Sequence, residues 1–287
     1  MLPPNEWPSK WYGRPLVWVE LFALVNLGGM APDIFLAHRV NFFHSRAEYI
    51  PLVFSIVAPV LLLPAFVALL RGRLPLWRTL GLWVGWAAII IGITGLMLHL
   101  RSQFFQQATL ASLVYAAPFA APLAYTGVGL LLLLNRMMPA ENRGWPLWVI
   151  FLALGGFAGN FIFSVTDHAQ NGFYHITEWI PVASSALAVG FLLVPLLQPV
   201  SQSYIKVCAG IMLLQAAVGL VGAGLHARAD FLGTGPTLLD RIVYGAPIFA
   251  PMLFPDLVLL AGIGLWALYQ MQPPTAESAP TRSAFFS

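Results

Sequence analysis

The sequence predicts an all-α polytopic membrane protein: eight transmembrane helices, built as a tandem duplication of a four-helix unit, with both termini in the cytoplasm. Three observations carry this expectation. Of 287 residues, 59% are hydrophobic and only 9% are charged, whereas a soluble domain carries about a quarter charged residues. The apolar residues come in runs close to the roughly 20 that one helical crossing needs. Whole motifs also recur at a nearly constant distance along the chain. The composition excludes a soluble globular protein. The net charge of +3 comes from few ionic groups and points away from nucleic-acid binding and toward a positive-inside bias.

Apolar runs between polar or Pro/Gly breaks give the spans in order. They are expected at about 16–37, 50–70, 79–99, 112–135, 146–166, 179–198, 206–226 and 244–270. Residues 1–140 then form the first four-helix repeat and 141–271 the second. Residues 272–287, rich in Pro, Ser, Ala and Thr, read as a disordered cytoplasmic tail. The opening Met-Leu-Pro-Pro-Asn-Glu-Trp lacks the charged-then-apolar order of a cleavable signal, so the first span is expected to act as its own insertion signal.

Basic residues set the orientation. Lys10, Arg14, Arg71, Arg73, Arg78, Arg136, Arg143, Lys206 and Arg282 fall on the side of the termini, against Arg39, Arg46, Arg101, Arg228 and Arg241 on the other. This excess puts the termini inside, in a bacterial-type inner, or cytoplasmic, membrane. Trp7, Trp11, Tyr12, Trp77 and Trp145 fall at the proposed cytoplasmic edges, where interfacial aromatic anchors belong.

The repetition is specific. Gly13-Arg-Pro-Leu-Val-Trp18-Val returns as Gly144-Trp-Pro-Leu-Trp148-Val. His38, Asn41, Phe43, His44, Glu48 and Pro51 return as His168, Asn171, Phe173, His175, Glu178 and Pro181. Gly92, Gly95, His99 and Arg101 return as Gly219, Gly222, His226 and Arg228. Tyr115-Ala-Ala-Pro118-Phe-Ala-Ala-Pro122 returns as Tyr244-Gly-Ala-Pro247-Ile-Phe-Ala-Pro251. An even number of spans per unit gives both halves the same orientation, related by an axis along the membrane normal.

All six histidines belong to this pattern, three per half, and all fall at the extracytoplasmic ends of spans or in the adjoining loops. Imidazole is a versatile metal ligand. Spacings of four (His44, Glu48) and three (His175, Glu178) put each pair on one face if the segment is helical. Gly92 and Gly95 precede His99 by seven and four residues, and Gly219 and Gly222 precede His226 likewise. On one helix face they leave either the room a flat macrocycle needs beside an axial His or the room two helices need to pack closely.

Two site descriptions follow. In the first, His38 with His99 and His168 with His226 are axial pairs for one haem b in each half, with Arg101 and Arg228 placed to pair with propionates. In the second, His38, His44, Glu48 and His99, and correspondingly His168, His175, Glu178 and His226, bind one Zn, Fe or Cu ion per half. Interfacial histidines bonded to loop backbone are the plainer alternative. Asn41 and Asn171 read as helix caps or ligand-orienting groups. Tyr115 and Tyr244 read as interfacial entries to the fourth and eighth spans. Glu20 is expected to snorkel. Asp256, after Phe254-Pro255, falls in the middle of an apolar run, where a carboxylate should face protein or water.

The single cysteine, Cys208, excludes an internal disulfide, a multi-Cys zinc site and a Cys-ligated iron–sulfur cluster. No P-loop, Rossmann fingerprint, Ser-centred elbow or HExxH motif occurs. The expected function is a membrane redox protein for electron transfer or for oxidation of a membrane-soluble substrate, with a quinone or another membrane redox protein as partner. A small-solute transporter using Asp256, a non-redox metalloenzyme and a structural subunit of a membrane complex are the alternatives. The architecture resembles haem A synthase, which implies eight spans in two four-helix halves with extracytoplasmic His pairs. That family's Glu-x-x-His-Arg pattern is not reproduced, because Phe35 stands three residues before His38-Arg39, so its activity is not carried over.

Overall fold

The computed structural model describes residues 10–272, all of whose regular structure is helical, without a strand. The helices are α1 (Pro15–Arg39), α2 (Tyr49–Leu70), α3 (Leu74–Gln107), α4 (Leu110–Val114) and α5 (Leu123–Met137). After these come α6 (Gly144–Gln170), α7 (Trp179–Leu197), α8 (Gln202–Leu232), α9 (Leu238–Tyr244) and α10 (Leu253–Gln270). Seven of them, α1, α2, α3, α6, α7, α8 and α10, are long and apolar enough to cross a membrane, the second, fifth and seventh counted with the short 3-10 turn that leads into each. The chain is a polytopic membrane protein.

The run expected to form a continuous span over 112–135 is broken. Thr109 caps the one-turn helix α4, accepting from Ser112 N. The chain is then irregular from Tyr115 to Pro122 before α5 begins. Pro118 and Pro122 explain the break, since neither supplies the N–H that a helix needs. At 1.5 Å per residue the 15 residues of α5 rise about 22 Å, short of a bilayer's ~30 Å. The expected 244–270 span starts late instead: α9 ends at Tyr244, and after Gly245 and Pro247 the crossing runs from the 3-10 turn at Ala250 through α10. The third and seventh runs err the other way. α3 has 34 residues and α8 has 31, because polar residues end an apolar run without ending a helix. The tail from Pro273 lies outside the described residues.

Packing is cyclic. α1 lies on α2, α2 on α3, α3 on α5 and α5 on α1, while α6, α7, α8 and α10 close a second ring in the same order. The rings meet where α1 touches α10 and α5 touches α6, and each one- or two-turn helix leans across, α4 onto α6 and α9 onto α1. Gln170 at the end of α6 donates to Val114 O at 2.9 Å.

Glycines set the closest approach within each ring. A Cβ at Gly92 would lie 2.7 Å from Thr126 N and 2.8 Å from Pro122 O, and one at Gly219 would lie 2.7 Å from Pro251 O. Backbone cannot swing aside as a side-chain tip can. Gly92→Ala and Gly219→Ala are therefore expected to cost about 1–3 kcal/mol by overpacking, read as a lower Tm in detergent. Gly159→Ala and Gly190→Ala, with nothing within 4 Å of the new Cβ, are expected to leave Tm unchanged or raise it, as helix propensity favours alanine.

Glu20 does not snorkel. It is 4% exposed and forms a two-point ion pair with Arg136, through Nη1 to Oε1 and through Nη2 to Oε2, the latter at 2.8 Å. Asn135 Nδ2 donates to Glu20 Oε1 at 2.7 Å, and Trp145 Nε1 donates to Asn135 Oδ1 at 3.1 Å. The Arg136 guanidinium lies 4.5 Å from the centre of the Trp77 ring. Trp77 and Trp145 are thus buried around this charge and do not act as interfacial anchors; Trp11 and Tyr12 are exposed, as anchors should be. Trp7 lies outside the described residues. A buried carboxylate needs a cation and hydrogen bonds to be tolerated, and Glu20 has both.

Asp256 also differs from expectation. It sits in the first turn of α10, at a helix start, where the unpaired N–H groups favour negative charge. It accepts from Asn26 Nδ2 of α1 at 2.9 Å, so this carboxylate joins the two rings.

Candidate functional site

The ends of α1 and α6 are shaped alike. Phe42 and Phe43 take left-handed φ values of 57° and 51°, and Gly172 and Phe173 take 72° and 53°. Phe43 N bonds back to His38 O at 3.1 Å and Phe173 N to His168 O at 3.0 Å, a closure that satisfies a helix C-terminus while reversing the chain. Phe43 stacks on Tyr49 at 4.6 Å and Phe173 on Trp179 at 4.1 Å. These turns bring a carboxylate back to the histidine that ends the helix.

That carboxylate is fixed by backbone. Glu48 Oε1 accepts from Ser45 N at 3.1 Å, and Glu178 Oε1 accepts from His175 N at 3.3 Å. The second oxygen remains for the histidine. Glu178 Oε2 lies 3.4 Å from His168 Nδ1. No hydrogen bond closes that contact: Glu178 Oε2 is buried without a hydrogen-bond partner, as are Glu48 Oε2 and His38 Nδ1 of the first half.

The other two histidines are oriented by proline carbonyls. His99 Nδ1 is 2.8 Å from Pro118 O, and His226 Nδ1 is 3.0 Å from Pro247 O. A carbonyl only accepts, so Nδ1 carries the proton; in the neutral ring Nε2 then keeps its lone pair. The repeated glycines make these bonds possible. A Cβ at Gly95 would lie 2.7 Å from Pro122 Cβ, and one at Gly222 would lie 3.1 Å from Pro251 Cβ. The space beside the glycines is filled by the proline-bearing chain, so close packing, not room for a macrocycle, explains that stripe.

The structure joins His38 to His99, with ring centres 6.2 Å apart and planes at 85°. His226 lies within electrostatic range of His168. It does not join His44 or His175, which are exposed loop residues. Their helical-face argument lapses, because the intervening segments are 3-10 turns, Arg46–Glu48 and Ile176–Glu178. The offset of 130 that relates His38 to His168, Phe43 to Phe173 and Glu48 to Glu178 sets His175 opposite Ser45 and His44 opposite Tyr174. The third histidine of each half is therefore no structural counterpart of the other.

Asn41 donates to Glu48 Oε1 at 3.2 Å, and Asn171 Oδ1 accepts from Phe173 N at 3.2 Å, so both serve the loop. Arg101 and Arg228 are exposed and form no ion pair with a described residue. Tyr115 and Tyr244 are exposed where α4 and α9 end. No group of three or more His, Cys, Asp or Glu is arranged to hold a metal ion among the described residues. What sequence reasoning missed is the part played by Pro118 and Pro247. Their signal was present, in a Pro-x-x-x-Pro pair repeated alongside the repeated Gly and His. Comparison with protein-family models, with curated proteins and with solved structures gives no match to this chain.

Proposed function

We propose that the chain is a membrane-integral redox protein in which His38 with His99, and His168 with His226, each hold one b-type haem near the extracytoplasmic face. One observation carries this reading. The Nδ1 of His99 and of His226 each meets a carbonyl acceptor, which leaves Nε2 as the ligand nitrogen, the usual outer arrangement of metal-binding histidines. A metal ion held between two imidazoles at about 2.0–2.1 Å from each nitrogen would set the ring centres about 6 Å apart. The 6.2 Å between His38 and His99 fits that separation.

Two imidazoles alone do not complete a zinc or copper site, which ordinarily takes three or four protein ligands. A haem would bring four nitrogens of its own, so that two protein imidazoles would be enough to hold it. The unpaired Arg101 and Arg228, two residues beyond His99 and His226, suit its propionates. When bound, haem supplies a one-electron couple. The chain would hold and orient the ligands: the proline carbonyls keep His99 and His226 in the ligating tautomer, and Glu48 and Glu178 lie beside His38 and His168. Electron transfer with a membrane-soluble partner such as a quinone, or with another membrane redox protein, fits this placement.

The same reading takes the chain as a tandem duplication with eight crossings, α5 and its irregular lead-in forming the fourth, and with both termini cytoplasmic. It is supported by the matched turns, carboxylates and proline carbonyls of the two halves. An absorption spectrum and metal analysis of the purified protein test the proposal. A Soret band with iron approaching two per chain is expected. Colourless, metal-free protein overturns it.

A further inference from the structure

The second ring contains polar groups that the first lacks. Gln215 of α8 is fully buried, and neither its Nε2 nor its Oε1 has a partner; Asn160 of α6 is 3% exposed with Nδ2 unpartnered. Their faces are fixed by glycines one turn away. Gly219 abuts Phe254 and Pro255, and Gly156 abuts Leu257, all near the start of α10. Both amides therefore lie on the sides of α8 and α6 that face α10, inside the ring. The first ring does without them. Counting back 127 from Gln215, as from His226 to His99, gives Ala88, and counting back 130 from Asn160, as from His168 to His38, gives Met30.

A buried polar group left unpaired costs about 1–3 kcal/mol, and native structures pair most such groups with protein or ordered water. Water is the occupant that suits amides buried on helices whose neighbouring positions, Phe157 and Met212 among them, belong to the apolar core. Position adds to this. Asn160, Ser164 and His168 follow at intervals of four on α6, and Ser164 is buried as well. Gln215, Gly219, Gly222 and His226 share one face of α8. At 1.5 Å per residue, Asn160 lies about 12 Å and Gln215 about 16 Å along the helix from its histidine.

We infer that the second ring encloses ordered water bound to the amides of Gln215 and Asn160, forming a hydrated shaft beneath His168 and His226; the first ring has no matching amides, its unpartnered buried group there being the single hydroxyl of Thr126. The shaft gives protons a route to the second histidine pair; that role rests on the redox reading, whereas the hydration does not.

X-ray radiolysis of the full chain in 18O-water tests it, since hydroxyl radicals formed from bound water oxidise their immediate neighbours. Oxidation carrying 18O is expected at Met212 and Phe157, buried residues three positions from Gln215 and Asn160. It should fall several-fold in Gln215→Ala combined with Asn160→Met, the residues of the first ring, and in Gln215→Leu alone should the double variant not fold. Absence of label at both residues in the unsubstituted chain overturns the inference, as does label that survives the substitutions. The labelling needs no chromophore, so its failure and the failure of the haem reading are separate results.

Discussion

Replacing His99 or His226 with alanine is expected to remove about half of the haem absorbance, and replacing both to remove all of it. On the proposed reading each residue would supply one of the two imidazoles that hold a haem, and loss of either would leave a site with a single imidazole. The pattern of double variants is more telling than any single one. His38→Ala added to His99→Ala should remove little more than His99→Ala alone, because residues acting as a unit are not additive. His99→Ala added to His226→Ala should be additive, because each acts in a different ring. His44→Ala and His175→Ala should leave the spectrum unchanged, since both are exposed loop residues that are not grouped with the pairs. A spectrum that depends equally on all six histidines would contradict the pairing.

Arg136→Ala is expected to be the most destabilising single substitution at the opposite end of the molecule. Glu20 and Arg136 are 4% and 6% exposed, and removing the cation leaves a buried carboxylate with only the Asn135 amide. Breaking one partner of such a pair costs about 3–5 kcal/mol. The reciprocal Glu20→Gln should cost less, because a neutral amide can still accept from Asn135. Removing both charges together, with Glu20→Leu and Arg136→Met, should recover much of the loss, as apolar replacements of buried ion pairs often do. Thermal unfolding in one detergent, with all four proteins compared, reads these differences. Gly81→Ala belongs in the same series, since its Cβ would overlap the Arg136 guanidinium.

Composition and apolar run length were enough to read the solvent and the seven long helices, because both depend on summed hydropathy, but not the break in the eighth expected run, 112–135. Depth and partnership do not. Glu20 and Asp256 look alike in sequence as acids within apolar runs. Only the fold shows that one meets Arg136, 116 residues away, and the other meets Asn26, 230 residues away. Helix ends were misread where the determinant was local stereochemistry instead of polarity. α3 continues through Arg101 to Gln107 and stops at Ala108 in a left-handed conformation, a conformation no hydropathy plot records. The pairing of His38 with His99 was legible because both were repeated at matching ends of spans. The exclusion of His44 and His175 was not, because a one-residue difference in a short loop decides it.

The proline carbonyls that orient His99 and His226 have a genetic consequence. A bond to main chain cannot be deleted by exchanging the residue that provides it. Alanine at position 118 or 247 would still present a carbonyl, and that group has no proton to gain or lose. Glu48 and Glu178, beside the partner imidazoles, are side chains and can be exchanged. One histidine of each pair is therefore exposed to mutation through its neighbour, while the other is held by a contact that a side-chain scan would pass over in silence.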